Sequence, residues 1–268
     1  MLHPSAEVEA LDTHGQSWRG ETVEEGIALC GCQCIEPLFR KYLPRDGKIL
    51  EAGCGIGRWV FYLQRLGYDI TGIDIAADAL RMAREYDPHA PIHEDNVLHT
   101  SYPPGHFGAV ISLGVVEHFE QGPQAAFAEA YRVLRGGGLF FVTVPTQNFS
   151  RICIANSLKE LKRWYRRRKG VRFVFEEYRY TRREFHRLLE QAGFSVIDVA
   201  YDDFLPPRSM GFHVDYPFFR HRQRRWELNA VGAFINGVFR FISPRTVAAG
   251  TLWVCRKPGT PLSSQSAP

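Results

Sequence analysis

Short apolar runs alternate with longer stretches in which apolar residues recur at helical spacing, and this pattern fills the middle of the chain. Almost wholly apolar runs indicate buried parallel strands, and the amphipathic stretches between them indicate helices that cover both faces of the sheet. The pattern predicts helices over residues 21–42, 57–67, 76–86 and 124–135. It predicts five strands within residues 47–54, 68–75, 90–96, 107–114 and 136–145.

The alternation breaks after Pro145 and returns only in part. Residues 181–194 predict a helix capped by Thr181, while residues 195–204 and 250–257 predict the sixth and seventh strands. The expected fold is a doubly wound, seven-stranded, mainly parallel sheet of the Rossmann-like α/β class, with helical segments inserted as a cap. The expected divisions are an N-terminal extension (1–20), a core (21–201) with a basic insert (about 150–172), a helical insert or cap (202–248), a last strand (249–257) and a loose tail (258–268).

Three of the six cysteines, Cys30, Cys32 and Cys34, stand together within the predicted helix over residues 21–42. Apolar positions recur there at helical spacing, so small buried helix residues are favoured over a metal or redox site. Neither a CxxC pair nor a neighbouring histidine completes a zinc set. The start of the chain lacks a basic region followed by an apolar core, so we expect no secretory signal, no disulfide framework and a cytoplasmic location.

Glycines follow the first predicted strand at every second position, in the stretch ILEAGCGIGRWV (49–60). A dinucleotide-binding loop requires G-x-G-x-x-G. Counted from Gly53, the third glycine is replaced by Arg58, and counted from Gly55 it is replaced by Val60. This mismatch counts against an NAD-dependent dehydrogenase, although a tightly packed turn and another nucleoside ligand stay open.

Acidic residues stand at the ends of the first three predicted strands. Glu51 precedes the glycines and suits the ammonium of an amino-acid moiety. Asp74 lies where an acid can accept both ribose hydroxyls, and Asp95 can accept an adenine amino group. The alternatives are a structural role for Glu51, a helix cap for Asp74 and a loop acid for Asp95.

Together these motifs resemble the class I S-adenosylmethionine-dependent methyltransferases of the small-molecule type. The resemblance rests on EAGCGIG (51–57), GIDI (72–75), EDN (94–96), SLGVVEHF (112–119), RVLRGGGLFFVTVP (132–145) and YTRREFHRLLEQAGF (180–194). It implies S-adenosyl-L-methionine as the cofactor and backbone carbonyls of Leu113 or Gly114 as receivers of its ammonium. The implied cofactor-binding residues are Glu51, Gly53, Cys54, Gly55, Gly57, Asp74, Ile75, Asp95, Asn96, Leu113 and Gly114.

The expected reaction is methyl transfer to a small-molecule or lipid-like acceptor, with oxygen as the favoured accepting atom. His118 is the candidate general base because imidazole titrates near neutrality; in the resembled family a Glu-His pair here also serves structure. Some quinone-pathway members carry a further glutamate where Gly114 stands, so no metal is expected. A non-catalytic regulatory protein that binds the cofactor is the alternative function.

The net charge of +4 conceals two basic stretches in an otherwise mildly acidic chain. Residues 151–172 contain nine Lys or Arg and one Glu, and residues 220–225 contain four Arg. Basic stretches of this kind are either solvated faces or contacts for an anionic membrane or acidic substrate. The acidic remainder argues against a nucleic-acid partner, and the sequence leaves the oligomeric state open.

The stretch after the second basic run, residues 226–242, predicts a helix with one apolar side. A helix packed with this side against the core is favoured over a membrane-interface helix or a lid above an apolar substrate. The residues of the apolar side are Val231, Phe234, Ile235, Val238, Phe241 and Ile242.

Overall fold

The computed structural model describes residues 22–148, 151–156 and 177–259, together with Trp164, Tyr165, Arg168 and Phe175. The predicted N-terminal extension, most of the basic insert and residues 260–268 of the predicted tail lie outside the described residues.

Seven strands form one mixed sheet in the order β3-β2-β1-β4-β5-β7-β6. Neighbours from β3 to β5 pair in parallel, whereas β7 runs antiparallel to both β5 and β6. The predicted seven-stranded, mainly parallel sheet is therefore confirmed. The strands are β1 (Ile49–Ala52), β2 (Ile70–Asp74), β3 (Ile92–Glu94), β4 (Phe107–Leu113), β5 (Leu134–Pro145), β6 (Ser195–Asp202) and β7 (Gly250–Arg256).

Helices cover both faces of the sheet, which confirms the doubly wound arrangement. Successive strand residues point to opposite faces, so Ile49 packs in one buried cluster and Leu50 in the other. The first cluster includes residues of α1 to α4, and the second includes residues of α5 and α6. The helices are α1 (Val23–Cys30), α2 (Glu36–Tyr42), α3 (Arg58–Arg65), α4 (Ala77–Tyr86), α5 (Gln124–Val133), α6 (Arg182–Gln191), α7 (Met210–Asp215) and α8 (Ala230–Ile242).

The prediction of one continuous helix over residues 21–42 is wrong, because the chain turns between α1 and α2. The turn hydrogen-bonds to the segment after β6: the Cys34 amide donates to the Asp203 carbonyl at 2.8 Å, and the Leu205 amide donates to the Cys32 carbonyl at 2.7 Å. This tertiary pairing outweighs the helical periodicity of the local sequence.

The cysteine triplet is consequently split between helix and turn. Cys30 is buried at the end of α1, as predicted, whereas Cys32 and Cys34 are half-buried in the turn and are not helix residues. Within the described parts of the chain, no group of three or more His, Cys, Asp or Glu side chains is arranged to hold a metal ion.

Helix α8 begins at Ala230, where the Asn229 side chain caps it. The predicted burial of its apolar side is wrong for five of the six residues, which are exposed; Ile235 alone among the six packs inward. The helix instead turns its opposite side inward. A Cβ on Gly232 would lie 2.6 Å from the Phe219 Cβ, so glycine allows the helix to approach this ring closely. The inward-facing residues pack on a small cluster of Phe212, Tyr216, Leu228 and Val247.

The first charge of the predicted basic insert, Arg151, is buried in an ion pair. Its Nε lies 2.6 Å from Asp215 Oδ2, and its Nη1 donates to the Thr146 carbonyl at 2.7 Å and to the Ala249 carbonyl at 2.5 Å. Arg151 therefore fastens the chain after β5 to α7 and to the start of β7, and it is not part of a solvated basic face.

Replacing Arg151 by alanine leaves the Asp215 carboxylate buried with its nearest cation removed. We expect Arg151→Ala to lower the free energy of unfolding by about 3–5 kcal/mol, measured by urea denaturation. Arg81→Ala is the control, since it breaks ion pairs only between exposed side chains and should lower the free energy of unfolding far less. Equal losses in the two variants would contradict a supporting role for the buried pair.

Candidate functional site

The candidate site lies at the edge of the sheet where the parallel strands end. β1, β2, β3 and β4 are adjacent and parallel, so their carboxyl ends and the loops that follow them meet there. Open parallel sheets bind ligands at this edge, where the strand order reverses between β1 and β4. Every predicted site residue belongs to one of these four strand ends or loops.

The glycine loop between β1 and α3 has left-handed backbone at Gly53 (φ +84°) and Gly57 (φ +76°). Side chains would also clash at both positions. A Cβ on Gly53 would lie 2.4 Å from Val115 Cγ2, and a Cβ on Gly57 would lie 2.4 Å from Ile92 Cδ1. Close packing against neighbouring loops thus explains part of the glycine requirement.

Asp74 at the end of β2 hydrogen-bonds to the glycine loop itself. Its Oδ2 accepts from the Gly55 amide at 2.7 Å, and its Oδ1 accepts from the Ala76 amide at 2.8 Å. A carboxylate oxygen has two acceptor sites, so each can accept a further hydroxyl donor. Asp74 shapes the loop and retains the capacity to bind a ribose.

Glu51 is buried beneath the loop with an incomplete set of partners. Its carboxyl accepts the Val60 amide in the first turn of α3, but Oε2 has no hydrogen-bond partner among the described residues. Burial raises the pKa of Glu51 to about 8, opposed by the Arg58 charge and reinforced by Asp74. The site therefore offers a buried acceptor to a cationic donor.

Cys54 and Ile75 complete the first two strand ends. The Cys54 side chain is buried against β2, where a Cβ on Gly72 would lie 2.8 Å from its Sγ. Its amide donates to the Ile73 carbonyl at 2.9 Å. The side chain of Cys54 thus packs inward, and Ile75 is half-buried beside Asp74.

Asp95 after β3 is engaged within its own loop. Oδ2 accepts from both the amide and the hydroxyl of Ser101 at 2.9 Å, and Oδ1 accepts from the Asn96 amide at 2.8 Å. Asn96 is exposed, and its Oδ1 accepts from the Leu98 amide at 2.9 Å. Both residues hold the loop shape at the third strand end.

The loop after β4 contains Leu113, Gly114 and His118. Gly114 has φ +71° and donates its amide to Thr143 Oγ1 at 3.0 Å. Leu113 is half-buried, and His118 is half-buried at the end of a 3-10 turn over Val116–His118. This places His118 at the same sheet edge as the glycine loop.

Three further buried polar residues lie at this edge: Gln33, Glu117 and Asp202. The sequence reasoning missed Gln33 and Asp202, and it considered Glu117 only as the partner of His118 in a Glu-His pair. Gln33 Nε2 donates to Asp202 Oδ1 at 2.7 Å, and all three side chains are buried. Gln33 Oε1 and Glu117 Oε2 have no hydrogen-bond partner in the described part of the chain. Asp202 is the last residue of β6, and an acid at a strand end is a usable signal, whereas nothing in the local sequence marks Gln33.

Electrostatic interactions connect these residues to the glycine loop. Burial raises the pKa of Asp202 to about 6, opposed by Gln33 and by the charge of Arg58, which also acts on Glu51. Burial raises the pKa of Glu117 as well, and the charge of Asp202 adds to this. The acidic groups therefore surround one region in which positive or proton-donating ligands are favoured.

These residues fit S-adenosyl-L-methionine better than a dinucleotide. The unpartnered Glu51 oxygen suits the ammonium of a methionine moiety, because a nearby cation favours the ionised carboxylate, whereas a pyrophosphate brings no cation to pair with it. The glycine loop (53–57) also contains no lysine that could bind phosphate.

Comparison with known proteins agrees with this geometry. Residues 29–199 match the family model described as "Methyltransferase domain". The chain is 29% identical over 151 residues to a probable S-adenosylmethionine-dependent methyltransferase of Mycolicibacterium smegmatis, covering 56% of this chain and 52% of that protein. It is 24% identical over 212 residues to the ubiquinone biosynthesis O-methyltransferase of Photorhabdus laumondii, covering 70% and 83%.

The fold also matches a solved S-adenosylmethionine-dependent methyltransferase from Methanosarcina mazei, with a TM-score of 0.56 and 18% identity over 84% of this chain and 98% of that chain. At this identity the match shows the fold alone. The chain spans about half or less of the length of the first three curated relatives that it matches.

Glu51 should make stability depend on pH. A carboxyl whose pKa is raised on folding contributes stability below its unfolded value near 4.5, and this contribution is lost as pH rises through about 8. We expect Glu51→Gln, which keeps an acceptor for the Val60 amide, to gain stability relative to the wild type between pH 5 and 8, by on the order of 2 kcal/mol. Thermal unfolding without cofactor across this range measures the difference.

The control is Glu94→Gln, which alters an exposed carboxyl at the end of β3. Its stability difference from the wild type should not change over the same pH range. If the stability difference between Glu51→Gln and the wild type also stayed constant from pH 5 to 8, ionisation of Glu51 would not destabilise the folded protein, and the prediction would be wrong.

Proposed function

We propose that this chain, which belongs to the S-adenosylmethionine-dependent methyltransferase family, transfers the cofactor's methyl group to an oxygen of a small or lipid-like acceptor. The buried Glu51 carboxyl, whose Oε2 lacks a partner among the described residues, carries the proposal. It is the group at the strand ends that most specifically suits an amino-acid ammonium.

The proposed cofactor site extends along the four strand ends. Glu51 and the carbonyls of Leu113 and Gly114 would receive the methionine ammonium, and the backbone of the glycine loop (53–57) would follow the methionine chain. Asp74, with Ile75 beside it, would bind the ribose. Asp95 and the backbone at Asn96 would bind the adenine.

The bound cofactor supplies an electrophilic methyl group, and the chain's own residues would align the acceptor behind it and exclude water. A hydroxyl acceptor also has to lose its proton. This calls for a base that is ionised near neutral pH and whose position is fixed by its neighbours.

Asp202 meets both requirements for this base. Its pKa of about 6 leaves it mostly ionised at pH 7, and the hydrogen bond from Gln33 holds its carboxylate. Burial raises the pKa of Glu117, and in its protonated form this carboxyl would donate a hydrogen bond to the same acceptor. His118 on the loop after β4 is the second candidate base.

The class of acceptor is supported by two observations. The relative from Photorhabdus laumondii is named an O-methyltransferase, and its alignment covers most of both chains. Residues 202–248, which we propose as the cap, begin at Asp202 and contain the apolar cluster of Phe212, Tyr216, Leu228 and Val247. Such a cap favours an acceptor with an apolar body.

Cofactor binding and methyl transfer can be tested separately. We expect calorimetry to show binding of S-adenosylmethionine and S-adenosylhomocysteine, weakened about tenfold or more in Asp74→Asn because the ribose and the glycine loop lose a charged acceptor. Asp78→Asn, on the exposed first turn of α4, should bind normally.

Methyl transfer is tested by incubating the protein with methyl-labelled cofactor and a cell extract. Mass spectrometry should find the label in an acceptor that is soluble in organic solvent.

Two outcomes would contradict the proposal. Binding of NAD without binding of either S-adenosyl compound would remove the cofactor assignment. Tight cofactor binding with no labelled acceptor in extracts of the source cells would favour a regulatory protein that binds the cofactor without transferring its methyl group.

The pH dependence of turnover distinguishes the two candidate bases. If Asp202 accepts the proton, kcat rises as pH increases through about 6. We expect Asp202→Asn, which can still accept from Gln33, to lower kcat by about 10²–10⁴ and to remove this rise. His118→Asn should retain the rise, and Asp198→Asn, at a half-exposed carboxyl on the same strand, should leave kcat unchanged. A rise lost in His118→Asn but kept in Asp202→Asn would assign the base to His118.

A further inference from the structure

We infer that α8 and the arginine-rich loop before it bind the surface of an anionic lipid bilayer. The loop comprises residues 220–228, and the binding face of α8 comprises Val231, Phe234, Val238, Phe241 and Ile242. Both segments lie within the proposed cap (202–248), but the exposed side chains that carry the inference are neither proposed cofactor residues nor candidate bases. The inference therefore does not depend on the proposed function.

The binding face of α8 exposes large apolar side chains to solvent. Phe241 is 94% exposed, Phe234 73% and Ile242 70%, while Val231 and Val238 are 61% and 47% exposed. Their spacing of three, four, three and one residues places them on one side of an α-helix. A contiguous apolar face of this kind marks a surface that binds a partner or a membrane.

The exposure results from how the helix is held in place. The Arg240 guanidinium donates to Asp203 Oδ2 and to the Phe204 carbonyl, both at 2.8 Å, which anchors the C-terminal half of α8 below the end of β6. At the other end, the Asn229 side chain caps the helix and also donates to the Phe218 carbonyl at 3.0 Å. Fixed at both ends, α8 keeps its binding face directed outward.

The adjoining loop adds positive charge at the start of this face. Its ends are joined by a bridge between Arg220 and Leu228, and the His221 amide donates to the Glu227 carbonyl at 2.9 Å. Arg222, Arg224 and Arg225 are exposed on it. From Pro217 to Arg245 the chain contains six arginines and one acidic residue.

An apolar helix face bordered by arginines is complementary to a surface with anionic headgroups above an acyl region. The arginines favour anionic lipid over a second, equally basic copy of this surface, because two such loops would repel each other. Within the described residues no helix is both long and apolar enough to cross a bilayer. The expected mode is therefore an interfacial helix that lies along the membrane.

Vesicle binding provides the test. The whole protein, with no cofactor added, is mixed with vesicles of pure phosphatidylcholine or of an equimolar mixture with phosphatidylglycerol, and bound protein is separated by flotation. We expect binding to the anionic vesicles, weaker binding to neutral vesicles, and a decrease at high salt.

Phe234→Gln/Phe241→Gln should weaken partitioning into anionic vesicles by roughly tenfold to a hundredfold, because two buried aromatic contacts with lipid are lost. Arg222→Gln should weaken it by about fivefold. The matched controls are Ile197→Gln, at an exposed apolar side chain of β6, and Arg84→Gln, at an exposed arginine of α4; both should bind like the wild type.

Three results would overturn the inference. The first is that the wild type does not bind anionic vesicles, and the second is that the double variant binds them as tightly as the wild type. The third is that sedimentation shows a dimer that Phe241→Gln dissociates, which would assign this face to contacts between two copies of the chain. Because Phe241 is almost fully exposed, the single variant should fold like the wild type, and circular dichroism verifies this.

Discussion

The site is organised around one buried carboxyl, that of Glu51. Because this residue lies on β1, its side chain is next to the N-terminus of α3, where the first amide groups have no hydrogen-bond partner within the helix. One part of the carboxyl accepts the Val60 amide, and Oε2 lacks a partner among the described residues. The glycine loop lies beside this carboxyl, and the charges of Arg58 and Asp74 act on it. The contacts that fix the shape of the loop therefore also determine which ligand the loop can bind.

Most of the fold could be predicted from the sequence because buried parallel strands and amphipathic helices have distinct periods. The seven strands and the Thr181 cap follow from such local patterns. The break between α1 and α2 does not, because it is caused by pairing with residues 203–205 in a distant part of the chain. The orientation of α8 is similar: both sides of this helix are apolar, and tertiary contacts, such as Gly232 on Phe219 and Arg240 with Asp203, determine which side faces inward.

The candidate site divides in the same way. Glycines and acids at strand ends are local signals, and they indicate the proposed cofactor residues. The hydrogen bond between Gln33 and Asp202 joins residues 169 positions apart and has no signature in either segment. The structure also shows that Asp74 and Asp95 have backbone partners, so their structural and ligand-binding roles are compatible and not alternatives.

Asp202 and Asp203 are consecutive residues with different partners. Asp202 binds Gln33 at the edge of the sheet, and Asp203 binds Arg240 of α8. Their Cα atoms are separated by about 3.8 Å, the fixed span of one peptide unit. A protein held at a membrane through α8 would therefore keep its proposed acceptor site at a constant height above the lipid, and an acceptor dissolved in that lipid would approach from one side only.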